Sequence, residues 1–323
     1  MNLRMRRLRE NSLIRDMVRE NSLNTDDFIY PLFIVEGEDI KREIKGFPDV
    51  YHFSVDRLNA EIDELIELGI KSVILFGVPD VKDEVGSGAF ADDGIVQKAI
   101  RQIKSHTDEI LVITDVCLCE YTSHGHCGLV DDCGHILNDE SLPYLAKTAL
   151  SHARAGADIV APSDMMDFRI AAIRETLDEN GFKNTPIMAY SAKYASKFYD
   201  PFRVAGGGAP QFGNRKSYQM DYHNSDEALI EVELDLQEGA DFIIVKPALS
   251  YLDIIRRVKD NFNTPIIAYN VSGEYVLLKN AIANAVASEE MIYEILIAMK
   301  RAGADIIITY HAKEMAKMLK ECK

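Results

Sequence analysis

EGADFIIVKPA (238–248) holds a Gly-Ala-Asp step, four consecutive apolar residues, and then a lysine and a proline. Glycine ends a helix readily, and the small residues after it let the chain turn back sharply. The apolar run is too short for a helix and apolar on both faces, as a strand buried in a parallel sheet must be. The same step recurs at Gly156-Ala157-Asp158, entering DIVAPSD (158–164), and at Gly303-Ala304-Asp305, entering DIIITYHA (305–312). Five further runs share this character: FIYPLFIV (28–35), SVILFGV (72–78), ILVITDV (110–116), PIMAYSA (186–192) and PIIAYNVS (265–272). Between them lie stretches of helical period, such as VDRLNAEIDELIE (55–67) and DEALIEVELDLQ (226–237). Strands separated by helices predict a parallel α/β protein, and the repeated joint favours a closed (β/α)8 TIM barrel over a doubly wound open sheet.

The 323 residues, 47% hydrophobic, suffice for a barrel of residues 27–323. Residues 1–26 precede the first strand and carry Arg4, Arg6, Arg7, Arg9, Arg15 and Arg19. They read as an N-terminal helical arm, either a solvated face or a strap lying on an acidic neighbouring subunit. A net charge of −16 argues against a nucleic-acid partner, whose phosphates would be repelled. No apolar stretch approaches the roughly 20 residues that cross a bilayer, and the charged first residues lack the apolar core of a secretion signal. Val85-Gly86-Ser87-Gly88 lacks the remaining glycine of a dinucleotide fingerprint and reads as a loop. Of five cysteines, Cys117, Cys119, Cys127 and Cys133 crowd one short segment while Cys322 stands apart. That clustering indicates metal or redox chemistry in a reducing cytoplasm rather than a disulfide framework.

Barrels of this kind place their chemistry where the strands end. The residues expected there are Asp115 and the cysteines after the third strand, Ser163 and Asp164 after the fourth and Lys193 after the fifth. Lys246 falls on the sixth, Ser272 after the seventh, and Tyr310 with His311 after the eighth.

Cys117 and Cys119 are alternate residues of an extended segment and project to one side, and a short return brings Cys127 beside them. Three thiolates suit Zn2+, with the fourth position left open as catalysis requires. The alternatives are a structural site closed by His124, His126 or Cys133, or plain free thiols. Lys246 interrupts an apolar run, where burial and a second cation would favour the neutral, nucleophilic amine over the ammonium. Lys193 is its neighbour around the barrel, with Lys197 as a rival and a salt-bridged core lysine as the plain reading. AGGGAPQFGN (205–214) carries three consecutive glycines, as a closing lid would. Arg203, Arg215 and Gln219 flank it and are suited to clamp a carboxylate, although solvated arginines beside a surface loop remain the ordinary reading. Ser272 and Tyr310 are candidates for a second carboxylate, and Asp115 for a proton shuttle or a partner that orients Lys193.

The blocks around these residues are DVCLCEYTSHGHCG (115–128), APSDMMD (161–167), YSAKYASKFYDPFR (190–203), GNRKSYQMD (213–221) and YNVSGEY (269–275). Together with Gly239, Asp241, Lys246, Pro247, Ala248 and Tyr251, they resemble the porphobilinogen synthase family from Arg4 to the C-terminus. The resemblance implies a lyase that condenses two 5-aminolevulinate molecules to porphobilinogen, early in tetrapyrrole and haem biosynthesis. It implies a Schiff base on Lys246 for the P-site substrate and on Lys193 for the A-site substrate. Cys117, Cys119 and Cys127 match the zinc-binding version of the family. Arg203, Arg215 and Gln219 would hold the A-site carboxylate and Ser272 and Tyr310 that of the P site, supported by Asp115, Ser163, Tyr190 and Phe202. Glu231 matches the position of an allosteric magnesium in some members, although Ile230 stands where relatives often carry arginine. No organic cofactor is implied, and the assembly implied is a homo-octamer. Two other readings stay open: a class I aldolase-like Schiff-base barrel, which needs neither three cysteines nor two lysines, and a non-enzymatic scaffold with structural zinc.

Overall fold

The computed structural model describes residues 3–321. Its strands are β1 (Phe28–Val35), β2 (Lys41–Ile44), β3 (Phe47–Phe53), β4 (Ser72–Val78), β5 (Leu111–Val116), β6 (Leu129–Val130), β7 (Ile136–Leu137), β8 (Ile159–Pro162), β9 (Met188–Lys193), β10 (Phe242–Lys246), β11 (Ile266–Asn270) and β12 (Ile306–Thr309). Its α-helices are α1 (Ser12–Met17), α2 (Leu58–Leu68), α3 (Ile95–His106), α4 (Asn138–Ala155), α5 (Arg169–Glu179), α6 (Asp200–Ala205), α7 (Glu227–Glu238), α8 (Leu252–Asn261), α9 (Ser272–Ala283), α10 (Glu290–Ala302) and α11 (Ala312–Glu321).

Eight of the strands pair in parallel in the order β8-β5-β4-β1-β12-β11-β10-β9. A parallel bridge from Val160 to Ile187 joins β8 to β9 and closes the ring. The expected (β/α)8 barrel is what forms. Gly156, Gly239 and Gly303, the glycines of the repeated joint, stop α4, α7 and α10 at φ of 107°, 110° and 122°. Only a residue without a Cβ takes that backbone cheaply. Two additions fall outside the sequence reading: β3 pairs with antiparallel β2 and runs parallel beside the end of β1, and β6 and β7 form a small hairpin beyond the cysteine segment. Both rest on strands too short or too polar to show a period.

Alternation divides the buried residues into two layers. Ile243 and Val245 of β10 face outward into the layer beneath the helices, and Ile244 faces the barrel interior with Phe33, Phe76, Tyr190 and Tyr269. Lys246, two residues past Ile244, therefore points inward at the mouth. β9 departs from this rule in a useful way. Ile243 pairs with Ala189 but Val245 with Ala192, so β9 carries one extra residue. This β-bulge resets the alternation: inward Tyr190 is followed by an inward Lys193 three positions later, which an unbroken strand would forbid.

Before β1 lie α1 and short 3-10 turns at Met5–Arg9 and Thr25–Asp27. Leu3, Met5, Leu8, Leu13 and Met17 on this segment are exposed. Among the described residues no helix is long and apolar enough to cross a membrane.

Candidate active site

The bulge brings the two lysines side by side, for Lys193 and Lys246 are paired residues of β9 and β10. Both are buried, 4% and 5% exposed, at the C-terminal mouth. The Lys246 Nζ lies 4.4 Å from the Tyr269 ring centre and 5.0–5.1 Å from those of Phe202, Tyr190 and Tyr199. Burial, reinforced by the like charge of Lys193, lowers its pKa from 10.5 to about 7. An aromatic cage shields an ammonium far less well than water does, so at neutral pH much of Lys246 is free amine. Lys193 donates instead to the Ser163 carbonyl. Lys197, the rival on sequence grounds, is exposed and outside this cluster.

Asp115 at the end of β5 completes the group. Burial and the nearby Glu120 push its carboxyl up to about 7 against the opposing pull of both lysines. One of its oxygens accepts from Ser163 Oγ at 3.2 Å, while the other is buried with no partner among the described residues. A carboxyl and an amine both titrating near neutrality are what general acid–base work needs.

Beside them the ligand atoms of Cys117, Cys119 and Cys127 lie within 4.8 Å of one another, all buried. Cys117 Sγ is 3.2 Å from Cys119 Sγ, and Cys119 Sγ is 3.0 Å from Glu120 Oε2. Hydrogen bonds from Cys117 and Cys119, assisted by Arg215, hold the Cys127 thiol well below its ordinary range. Three converging sulfurs, one of them with its pKa held low, fit a thiophilic divalent ion. The fourth ligands entertained for a closed site do not join them. His126 Nδ1 and Nε2 face Tyr218 Oη and the Phe212 carbonyl at 3.1 Å each, and His124 Nε2 faces the Glu84 carbonyl at 3.3 Å. Cys133 lies exposed on the β6–β7 turn, and Cys322 lies outside the described residues.

The glycine-rich segment follows α6 and covers this group from one side. Arg215 Nη2 donates to the Gly125 carbonyl at 3.0 Å and the Gly208 carbonyl at 2.5 Å, tying the loop to the cysteine segment. Arg203, Arg215 and Gln219 share a cleft of about 580 Å³ with Ala209, Pro210 and Asn214. Both polar atoms of the buried Gln219 amide, together with Arg203 Nε and Arg215 Nε, have no partner among the described residues. Donors held dry and unpaired in this way suit an incoming carboxylate. On the opposite side Ser272 Oγ donates to the Phe198 carbonyl at 3.3 Å and accepts from Phe202 N at 3.0 Å, and Tyr310 Oη is 3.2 Å from Tyr269 Oη.

Glu231 does not join the site. It is half-buried on α7, and burial raises its carboxyl to about 7 despite Arg169. Among the described residues no three ligating atoms converge there. Glu120, Tyr199 and Tyr269 belong to the site although their sequence context does not single them out. Adjacency to Cys119 was a signal for Glu120, but the two tyrosines resemble ordinary core residues in their strings.

Fold and mouth together define a (β/α)8-barrel enzyme that gathers buried amines, a carboxyl and a thiol cluster at the C-terminal ends of its strands. The family model for delta-aminolevulinic acid dehydratase matches residues 2–318. Delta-aminolevulinic acid dehydratase of Bacillus subtilis (strain 168) is 58% identical over 319 residues, spanning 98% of each chain. That of Archaeoglobus fulgidus is 56% identical over 317 residues, again 98% of each. The crystal structure of the Toxoplasma gondii ME49 dehydratase (porphobilinogen synthase), in complex with its reaction product porphobilinogen, superposes with a TM-score of 0.98 at 42% identity. It covers 100% of this chain and 93% of that one. The chain belongs to the delta-aminolevulinic acid dehydratase family and is a hydro-lyase.

Proposed function

We propose that the chain condenses two molecules of 5-aminolevulinate to porphobilinogen through imines on Lys246 and Lys193, releasing two waters. The observation that carries this reading is the pairing of Lys246 with Lys193 at the barrel mouth. Two identical amino-ketoacids must be joined asymmetrically, by one C–C and one C–N bond, and two inequivalent amines side by side provide the asymmetry. Each amine adds to a ketone and expels water as the imine forms, giving an electrophile that a neutral amine reaches directly. Arg203, Arg215 and Gln219 are assigned to the A-site carboxylate, and Ser272 and Tyr310 to that of the P site. Asp115, supported by Ser163, accepts and returns protons between the two substrates, and Tyr190 and Phe202 wall the Lys246 amine. Holding both substrates in register is worth up to about 7–11 kcal/mol.

Cys117, Cys119 and Cys127 would hold zinc in its catalytic, three-thiolate form. Such an ion polarises or orients a bound carbonyl or amine and lowers the pKa of a bound water. Glu231 is a weaker candidate, for an activating magnesium at a subunit contact. We assign residues 1–26 to subunit contacts in a homo-oligomer, an octamer by family resemblance, on the strength of the exposed apolar residues of the arm. The cytoplasm is the compartment we assign to the chain, a reading supported by its unpaired thiols.

The test is porphobilinogen formation from 5-aminolevulinate before chelation, after it and after zinc return. Activity lost and then restored supports the reaction and the metal together. Activity indifferent to chelation would remove zinc from the mechanism, and absence of product under every metal condition would overturn the reading. Lys246→Ala is expected to abolish turnover with the fold intact.

A further inference from the structure

Three consecutive strand ends carry Lys246, Ser272 and Tyr310, and a buried chain of hydrogen bonds runs behind all three. At the end of β12, His311 N donates to Thr309 Oγ1 at 3.1 Å. Thr309 Oγ1 donates to Asn270 Oδ1 on β11 at 2.9 Å. Asn270 Nδ2 donates to Glu274 Oε2 at 3.0 Å. The same oxygen accepts from Val271 N at 3.0 Å, and Glu274 Oε1 accepts from Leu249 N, three residues past Lys246, at 2.8 Å. Glu274, Asn270, Thr309 and His311 are each 3% exposed or less.

A glutamate in the first turn of a helix often reaches back to cap it, and the bond from Val271 N is of that kind. The bonds from Leu249 and Asn270 are not. They leave the helix and fix two other segments, the turn after β10 and the end of β11. Every link donates in the same direction, toward the Glu274 carboxyl, so the links polarise one another and the chain ends on its two oxygens.

We infer that Glu274 is a positioning residue for the proposed P site: its carboxylate locks the ends of β10, β11 and β12 in mutual register, fixing Lys246 against Ser272 and Tyr310. It is not among the side chains that surround Lys246 Nζ and acts on the site through the strand ends it ties. The inference rests on the imine reading of Lys246 and deepens it.

Glu274→Gln preserves volume but aims an amide N–H₂ at one of the backbone or Asn270 donors. Borohydride trapping of 5-aminolevulinate at Lys246, followed by peptide mass, reads the P site directly. The half-saturating substrate concentration for trapping is expected to rise at least about tenfold, the usual minimum for losing a supporting hydrogen-bond partner of a site. Metal content at the three cysteines is expected to stay unchanged. Thr309→Val, nearly isosteric, breaks the chain one link further out and gives a smaller shift in the same direction. The two shifts should be less than additive in the double variant. A lower melting temperature with unaltered trapping would reduce Glu274 to a helix cap and overturn the inference. Should Glu274→Gln not fold, unaltered trapping in Thr309→Val does the same. Absence of trapping at Lys246 in the unmodified chain would defeat the imine reading itself, a separate outcome.

Discussion

Replacing Lys193 by methionine keeps the length of the side chain and removes its charge, which isolates what one ammonium does to the other. Lys246 sits at about 7 rather than 10.5, a difference worth about 5 kcal/mol. Burial in the aromatic cage is the larger cause and Lys193 the second. Neighbouring strands lie about 4.8 Å apart, and two unit charges at about 5 Å in an effective dielectric of about 20 repel by about 3 kcal/mol, or about two pK units. Lys193→Met is therefore expected to move Lys246 from about 7 to about 9, because Asp115 and Glu120 still favour its ammonium. At pH 7 the neutral fraction falls from about one half to about 1%, so imine formation at Lys246 slows about fifty-fold. The assay is the initial rate of borohydride-trapped adduct at Lys246 between pH 6 and 10, since trapping needs only the first imine. A midpoint that stays near 7 would refute the like-charge argument and leave the cage alone as the cause. A midpoint that falls would refute the electrostatic picture altogether.

The same depressed pKa carries a stability cost. Between pH 7 and 10.5 the unfolded chain binds the Lys246 proton and the folded chain does not, so the cost is complete below pH 7 and vanishes as pH rises through 10.5. Lys246→Met is accordingly expected to stabilise the fold by about 4 kcal/mol at pH 7 and about 2 at pH 9, read by denaturant unfolding. A gain independent of pH would contradict this. Gly125→Ala would set a Cβ 2.3 Å from the Ala209 carbonyl oxygen at a φ of +72°, and the nearest atoms, of Ala209 and Pro210, are all backbone. The glycine-rich loop must move off Arg215, so KM is expected to rise while imine trapping at Lys246 persists. Cys127→Ser removes the one thiol held low, and zinc content by atomic emission is expected to fall toward zero with the barrel intact by circular dichroism.

Much of the fold was legible because strand and helix periods are written in apolar residues, and the glycine joints punctuate them. Lys246 was legible for a related reason: a charge two residues beyond inward Ile244 must also face inward, and nothing within its own run neutralises it. Lys193 was only half legible. Counting by twos from Tyr190 sends it to the outer face, and the extra residue that reverses this leaves no mark in PIMAYSAK, since a bulge is set by pairing with β10 rather than by its own side chains. Tyr199 and Tyr269 were hidden by resemblance to core. An aromatic that packs a barrel and one that desolvates an amine obey the same pattern, and only the position of Lys246 Nζ separates them.

The surroundings of the two lysines also bear on the order of events. Lys246 Nζ is bounded by four aromatic rings, whereas Lys193 Nζ has the Ser163 carbonyl to receive a hydrogen bond and the Tyr190 ring at 5.4 Å. A carbonyl accepts a hydrogen bond and a cage of rings does not, so the two amines differ in their surroundings although their strand positions are equivalent. On the imine reading, the free amine of Lys246 would make it the first to react. With the first substrate held at Lys246, Lys193 is the amine left on the neighbouring strand, within the electrostatic reach of Asp115. Two identical molecules would then acquire different roles from the different surroundings of the two lysines, without any difference between the substrates themselves.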